Sequence, residues 1–240
     1  MWLPDTKEQR MLTFGIIGTG RMAVRLADLA AHSGRDVVLG SRDPQRSIEI
    51  AAKLGKGIRG GSYEDAVACD IVMPSLFIRD GALDALKSFS SGVRGKIVVD
   101  ILNPFNENYD DFILPWDTSA AEELHKIWPD TRIVSIFKWP FWEAFENHTF
   151  EGGPMDIVYT GDDADAKEHV LDLFKASSWR FLDGGGLENA RFTERMTLFC
   201  GQLAARYGYL PRAGWRLLGE PWEGGIKDAY GDIIQRWDRP

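Results

Sequence analysis

The sequence predicts an α/β protein built on a doubly wound parallel sheet, with a small C-terminal α/β and helical part. Three observations carry that expectation. Short apolar runs alternate with longer amphipathic stretches from Leu12 to about Ile136, the pattern of a parallel sheet with crossover helices. Ile97-Val98-Val99 is apolar at successive positions, as a strand covered on both faces must be. Two glycines, Gly18 and Gly20, stand where the first apolar run gives way to a helical pattern.

Strands are expected at Leu12–Ile17, Asp36–Gly40, Gly57–Arg59, Asp70–Pro74, Lys96–Ile101 and Arg132–Ile136. Helices are expected at Arg21–Ala31, Pro44–Leu54, Tyr63–Ala68, Asp80–Ser88 and Ser119–Trp128. The division expected is a nucleotide-binding domain over 1–138 and a substrate and dimerisation part over 139–240. In that second part Met155–Thr160 and Trp179–Leu182 read as strands. Between them a helix runs to about Ala176, capped by Asp162 or Asp163, whose side-chain oxygen can accept first-turn amide hydrogens. Leu187–Tyr207 carries Phe192, Met196, Phe199, Leu203 and Tyr207 at spacings of three or four, the stripe of an amphipathic helix. That stripe either covers the sheet or meets a second subunit, and a homodimer through this helix is expected. From Gly219 on, a surface arm is expected.

Over 240 residues the formal net charge is −8, which argues against a general nucleic-acid binder. Two cysteines, Cys69 and Cys200, lie in apolar stretches and read as buried free thiols in a reducing compartment. The start of the chain lacks the apolar core of a secretion signal, and no apolar run approaches the ~18 residues of a membrane span. A cytoplasmic protein is expected, and the glycosylation-like Asn147-His148-Thr149 is read as chance. The four histidines show no metal-ligand spacing, so no metal is expected.

The strongest local signal is Gly18-Thr19-Gly20-Arg21-Met22-Ala23 at the first strand–helix junction. Gly18 permits the tight turn, Gly20 lets backbone approach a pyrophosphate, and Ala23 permits close helix–strand packing. The amide hydrogens and positive end of the helix then attract phosphate charge. This is the dinucleotide loop of a Rossmann domain. An NAD site normally carries an acidic residue about 20 residues further on, at the end of the second strand. Here that strand ends in Ser41-Arg42-Asp43-Pro44, with Arg46 soon after. A hydroxyl and planar guanidinium groups suit a 2′-phosphate, so NADP is the expected cofactor. Asp43 reads as a helix N-cap ahead of Pro44. Ligands in open α/β sheets lie beyond the carboxyl ends of the strands, which makes Pro74, Ser75, Leu76 and Asn103 walls of a nicotinamide pocket.

The segments Gly40-Ser41-Arg42-Asp43-Pro44, Asp100-Ile101-Leu102-Asn103-Pro104 and Asp183-Gly184-Gly185-Gly186-Leu187-Glu188-Asn189-Ala190 resemble the NADP oxidoreductases that depend on coenzyme F-420, a deazaflavin. Val158-Tyr159-Thr160-Gly161-Asp162-Asp163 resembles that family's Gly-Asp-Asp turn. The resemblance runs from about Leu12 to Gly219. It implies an enzyme with direct hydride exchange between NADP(H) and an acceptor beside the nicotinamide, and cofactor contacts from Thr19, Ser41, Arg42, Arg46 and the Asn103 neighbourhood. Where the family reads Ala-Phe-Asn-Thr after the sixth strand, this chain reads Ile136-Phe137-Lys138-Trp139-Pro140 and continues with the aromatic Phe141-Trp142-Glu143-Ala144-Phe145.

The acceptor is therefore either the deazaflavin or a small carbonyl or imine compound. Exchange between two stacked rings needs orientation and exclusion of water, whereas carbonyl or imine reduction needs a proton donor. Lys138 and His148 are the catalytic candidates for that donor, with Glu143 behind them. Trp139, Phe141, Trp142 and Phe145 are more readily packing groups than a substrate cage. A different reading is a non-catalytic NADP(H)-binding redox sensor.

Overall fold

The computed structural model describes residues 11–146 and 149–220. Strands β1 (Phe14–Ile17), β2 (Val37–Ser41), β3 (Arg59–Ser62), β4 (Ile71–Pro74), β5 (Ile97–Asp100) and β6 (Arg132–Ser135) form one sheet. Its order is β3-β2-β1-β4-β5-β6, and its pairings are parallel. The order reverses between β1 and β4, so the crossover helices diverge there and leave a crevice at the carboxyl ends of the strands. Helices α1 (Arg21–His32), α2 (Pro44–Leu54), α3 (Tyr63–Val67), α4 (Ala82–Lys87) and α5 (Ala120–Ile127) cover the sheet.

Local chemistry sets these boundaries. Asp43 Oδ1 accepts the Gln45 amide hydrogen at 3.1 Å and Pro44 opens α2, as expected of an N-cap followed by proline. Ser62 and Asp65 form a reciprocal capping box on α3. β3 begins later than the expected Gly57–Arg59, because Lys56 and Gly57 both take positive φ and form a turn. The helix expected over Asp80–Ser88 is split: Ile78–Asp80 is a 3₁₀ turn, and Gly81, with φ +81°, separates it from α4.

Beyond β6 come a two-residue-per-strand hairpin, β7 (Thr149–Phe150) and β8 (Gly153–Pro154), then β9 (Asp156–Tyr159), α6 (Ala164–Leu173), β10 (Arg180–Asp183) and α7 (Ala190–Tyr207). β9 and β10 pair in parallel. Thr160 and Ser135 exchange backbone hydrogen bonds of 2.8 and 2.9 Å, so this part lies beside β6. Met155, Ile157, Val170, Leu173 and Phe174 share one buried core with Phe14, Val99 and Val134. Phe174 meets Phe14 edge-on at 6.1 Å. Asp163 caps α6 through a 2.7 Å bond from the Ala166 amide, and α6 ends at Leu173, short of Ala176.

α7 does not bury its bulky stripe. The face turned to the protein is Ala190, Thr193, Glu194, Thr197, Cys200 and Ala204. Phe192, Phe199 and Tyr207 are more than half exposed. Small side chains let α7 lie close against the body, and the stripe does not cover the sheet. Cys69 and Cys200 are free and buried, as expected, and burial pushes the Cys200 thiol up to about 11. Among the described residues no helix is long and apolar enough to cross a membrane. His148, the Asn147-His148-Thr149 pattern and nearly all of the expected C-terminal arm lie outside the described residues.

Candidate active site

The loops that follow β2, β1, β4, β5 and β6 stand side by side along the carboxyl edge of the sheet. From β2 to β5 is three inter-strand steps, about 14 Å. The loops are joined edge to edge. The Gly18 amide donates to Gly40 O at 2.9 Å and the Ser75 amide to Ile17 O at 2.8 Å. Gly18 has φ +126°, and a Cβ there would stand 2.5 Å from Ser75 O and 3.5 Å from Leu76 Cδ2. Only glycine fits that turn, both for its backbone angle and for the approach of the β4 loop.

Gly20 differs. Its φ is an ordinary −76°, and among the described residues a Cβ built on it would meet no atom within 4 Å beyond its two chain neighbours. The protein does not itself require glycine there, but a ligand approaching the backbone would. No side chain caps α1, which leaves its first amide hydrogens directed at that open space. The loop fits a pyrophosphate.

At the β2 end, Ser41 is buried and its Oγ accepts the Asp43 amide hydrogen at 3.2 Å. Arg42 and Arg46 are exposed, and neither makes an ion pair with the described residues. Arg46 Nε donates to Thr19 Oγ1 at 3.2 Å, so the second loop reaches across to the first. Thr19, Ser41, Arg42 and Arg46 are thus brought to one corner. Met22 packs inward on the core, and the Arg21 guanidinium lies 4.7 Å over the Trp142 ring. Leu76 is half-buried against the cluster that includes Val72 and Val98.

The β5–β6 end is sealed. Phe137, buried and with φ +55°, ends the β6 edge, a costly conformation for a bulky residue that surrounding packing must hold. The Phe174 and Trp179 rings contact it at 4.8 and 5.5 Å. The next residue, Lys138, has a fully buried side chain. Its Nζ donates to Asp100 Oδ2 at 2.6 Å, to Glu194 Oε1 at 3.1 Å and to Leu102 O. Three acceptors take up the three ammonium hydrogens. Asp100 Oδ1 accepts the Leu102 amide at 2.9 Å, and Glu194 accepts the Ala120 and Ala121 amides at 3.0 and 3.4 Å, capping α5. Burial alone would pull the Lys138 ammonium down, but the charges of Asp100 and Glu194 outweigh it and hold it above the ordinary lysine value. Burial pushes the Glu194 carboxyl up, against the pull of Lys138. Lys138 is therefore a charged, fully engaged group with no face toward a substrate.

Asn103 Nδ2 donates to Lys138 O at 2.8 Å. The aromatic segment is mostly packing: Trp139 is buried with Nε1 on Asp156 O at 2.9 Å, and Phe145 meets Trp179 at 4.8 Å. Trp142 instead lies under Arg21 beside the nucleotide loop, and Glu146 pairs with Arg25 of α1. Sequence reasoning missed Asp100 and Glu194 as the partners of Lys138. The available signals were an acidic end to an apolar strand and a glutamate on the small-residue face of α7. The two late motifs hold α7 in place: the Leu187 amide donates to Asp162 Oδ1 at 2.9 Å, and Gly161 and Asn189 bond to Gly185 and Gly184.

A cavity of about 780 Å³ lies elsewhere, lined by Thr13, Cys69, Ile48 and Arg59 among others. Thr13 and Cys69 precede β1 and β4, so it opens toward the amino ends of those strands, away from the crevice. Among the described residues no group of three or more His, Cys, Asp or Glu is placed to hold a metal ion.

Residues 13–104 match the family model described as NADP oxidoreductase, coenzyme F420-dependent. The chain is 29% identical over 196 residues to the F420-dependent NADP reductase of Methanothermobacter marburgensis, covering 75% of this chain and 86% of that protein. It is 30% identical over 188 residues to the rat (Rattus norvegicus) metalloreductase STEAP3, covering 77% of this chain but 36% of that longer protein. A solved structure described as an F420-dependent NADP reductase from Arthrobacter sp. FB24 superposes with a TM-score of 0.77 at 20% identity, over 87% of this chain and all of that one. With the glycine loop and this likeness together, the chain is a Rossmann-fold NADP-dependent oxidoreductase, similar over residues 13–104 to the F420-dependent NADP oxidoreductases.

Proposed function

We propose that the protein passes a hydride directly between NADP(H) and a deazaflavin lying against the nicotinamide, at the carboxyl ends of β4, β5 and β6. When bound, NADP(H) gives or takes the hydride at its nicotinamide ring. The protein's own part is to bind and orient. Thr19, Ser41, Arg42 and Arg46 hold the 2′-phosphate end, the Gly18–Met22 turn and the start of α1 hold the pyrophosphate, and Ser75, Leu76 and Asn103 border the nicotinamide. The observation that carries the choice of acceptor is the state of Lys138. Its ammonium is spent on Asp100, Leu102 and Glu194, so it is not free to protonate a reduced carbonyl or imine. Exchange between two stacked rings needs no such acid. The names of the archaeal relatives point to the same acceptor.

The test is anaerobic mixing of the protein with NADPH and oxidised F420, followed at the absorbance of each. Stoichiometric loss of both oxidised F420 and NADPH is expected. No spectral change at high enzyme concentration, with turnover of a carbonyl or imine panel that is abolished in His148→Ala, would overturn the choice and support the small-substrate alternative.

The reading also includes a homodimer formed by the outer face of α7. Phe192, Met196, Phe199 and Tyr207 lie on one face of this single helix, and all are exposed. The chain's own Trp215 stacks on Phe199 at 6.0 Å, and the exposed apolar side chains around it make a surface of the kind a second subunit would cover. Sedimentation should give a dimer at micromolar protein that Phe192→Glu/Phe199→Glu converts to monomer; a monomeric wild type contradicts it.

A further inference from the structure

Lys138 grips the β5 loop with both of its ends. Its side chain holds Asp100 and the Leu102 carbonyl, and its own carbonyl takes the Asn103 Nδ2 hydrogen at 2.8 Å. Because only the amide nitrogen can donate to a carbonyl, this bond fixes which way the Asn103 amide faces. The opposite atom, Asn103 Oδ1, is sealed from solvent and has no hydrogen-bond partner among the described residues. Buried acceptors are nearly always satisfied, and one that is not calls for an explanation. The Ser135 and Thr160 hydroxyl oxygens are also without partners, but their backbones bond each other beside the sheet, and a hydroxyl can rotate. Asn103 Oδ1 is held rigidly, on the loop at the crevice.

We propose that Asn103 Oδ1 accepts an N–H from the carboxamide of the nicotinamide ring, and that Lys138, clamped by Asp100 and Glu194, is the positioning residue that aims it. The bond anchors the ring by its substituent and so fixes which ring face meets the acceptor. Glu194 extends the clamp to α7 and α5, since it holds Lys138 with one oxygen while both its oxygens cap α5. The placement of the nicotinamide is then coupled to the docking of the C-terminal helix. The inference rests on the cofactor placement proposed above.

The experiment compares calorimetric binding of NADP⁺ with that of its 3-acetylpyridine analogue, which keeps the ring carbonyl but lacks the N–H donors. 2′,5′-ADP serves as a probe of the other end and of folding. The wild type should prefer NADP⁺ by about tenfold, since a site built around a hydrogen bond rejects a ligand that leaves it unmade. In Asn103→Ala the preference should fall to about twofold or less, with 2′,5′-ADP affinity unchanged. Lys138→Met should lose most of the preference while retaining 2′,5′-ADP binding, and Glu194→Gln should weaken it in the same direction. An undiminished preference in Asn103→Ala overturns the proposal. An undiminished preference in Lys138→Met, or in Glu194→Gln if Lys138→Met does not fold, overturns the positioning role. Failure of the wild type to bind either NADP⁺ or 2′,5′-ADP would instead sink the cofactor placement itself.

Discussion

At the β2 end of the crevice the side chains stand ready in solvent: Arg42 and Arg46 are exposed, and Arg46 leans on Thr19 through one 3.2 Å bond. At the β5–β6 end nothing comparable is exposed among the described residues, because Lys138, Asp100 and Glu194 are buried and engaged with each other. On the proposed reading, the cations at the first end serve a charged ligand that comes and goes. The cation at the second end is part of the wall. The residue types look alike in sequence, and burial separates their tasks.

The largest effect that would sharpen this contrast is expected from Glu194→Ala. It leaves Lys138 short of a partner and takes the acceptor from the Ala120 and Ala121 amides of α5, and breaking a buried ion pair from one side costs about 3–5 kcal/mol. Thermal unfolding should show a fall in Tm on the order of 10 °C for a chain of this size. Arg46→Ala, at the exposed end, should move Tm by about 1 °C or less. Comparable losses from the two would erase the distinction.

Gly20→Ala comes next. The new methyl meets open space in the protein, so the fold should be intact, whereas it occupies the approach to the pyrophosphate. NADPH binding by fluorescence titration should weaken roughly 30-fold, about 2 kcal/mol, with Tm shifted by about 2 °C or less. Unchanged affinity would mean that phosphate does not sit on the α1 amides.

How much of this was legible in the sequence follows the same division. The glycine loop and the β2-end residues are read from short contiguous motifs whose chemistry is local, and the structure puts them in one corner. Lys138 stands out in the sequence because it follows an apolar strand on the ligand side, but its partners lie 38 and 56 residues away and no local pattern announces them. α7 shows the same limit. Its bulky stripe has the right period for a buried face, yet the buried face is the one carrying Ala190, Glu194, Thr197 and Ala204. Periodicity identifies that a helix has two faces, while side-chain size decides which can lie flush against a packed body. The β7–β8 hairpin, two residues per strand, is too short to leave a periodic signal.

The smallest effect concerns the pin that ties the C-terminal segment to β9. Arg180 hydrogen-bonds Asp156 through both of its oxygens, at 2.6 and 2.7 Å, and with the Leu217 amide holds that carboxyl below its ordinary 3.8. A depressed folded-state value stabilises the protein above the unfolded one and loses that contribution as pH falls through the folded one. The stability difference between wild type and Asp156→Asn should therefore be constant above about pH 5 and shrink below 3.8. A gap that stays constant down to pH 2 would mean that the ion pair contributes nothing.

The central claim is that Ser41, Arg42 and Arg46 select NADP(H) through its 2′-phosphate, and Arg42→Ala tests it most directly. Dissociation constants for NADPH and NADH should be measured on wild type and variant at one fixed ionic strength. The account predicts that NADPH weakens about 10- to 100-fold, the loss of one charge-assisted hydrogen bond, while NADH changes by about twofold or less. Equal weakening of the two cofactors would contradict it.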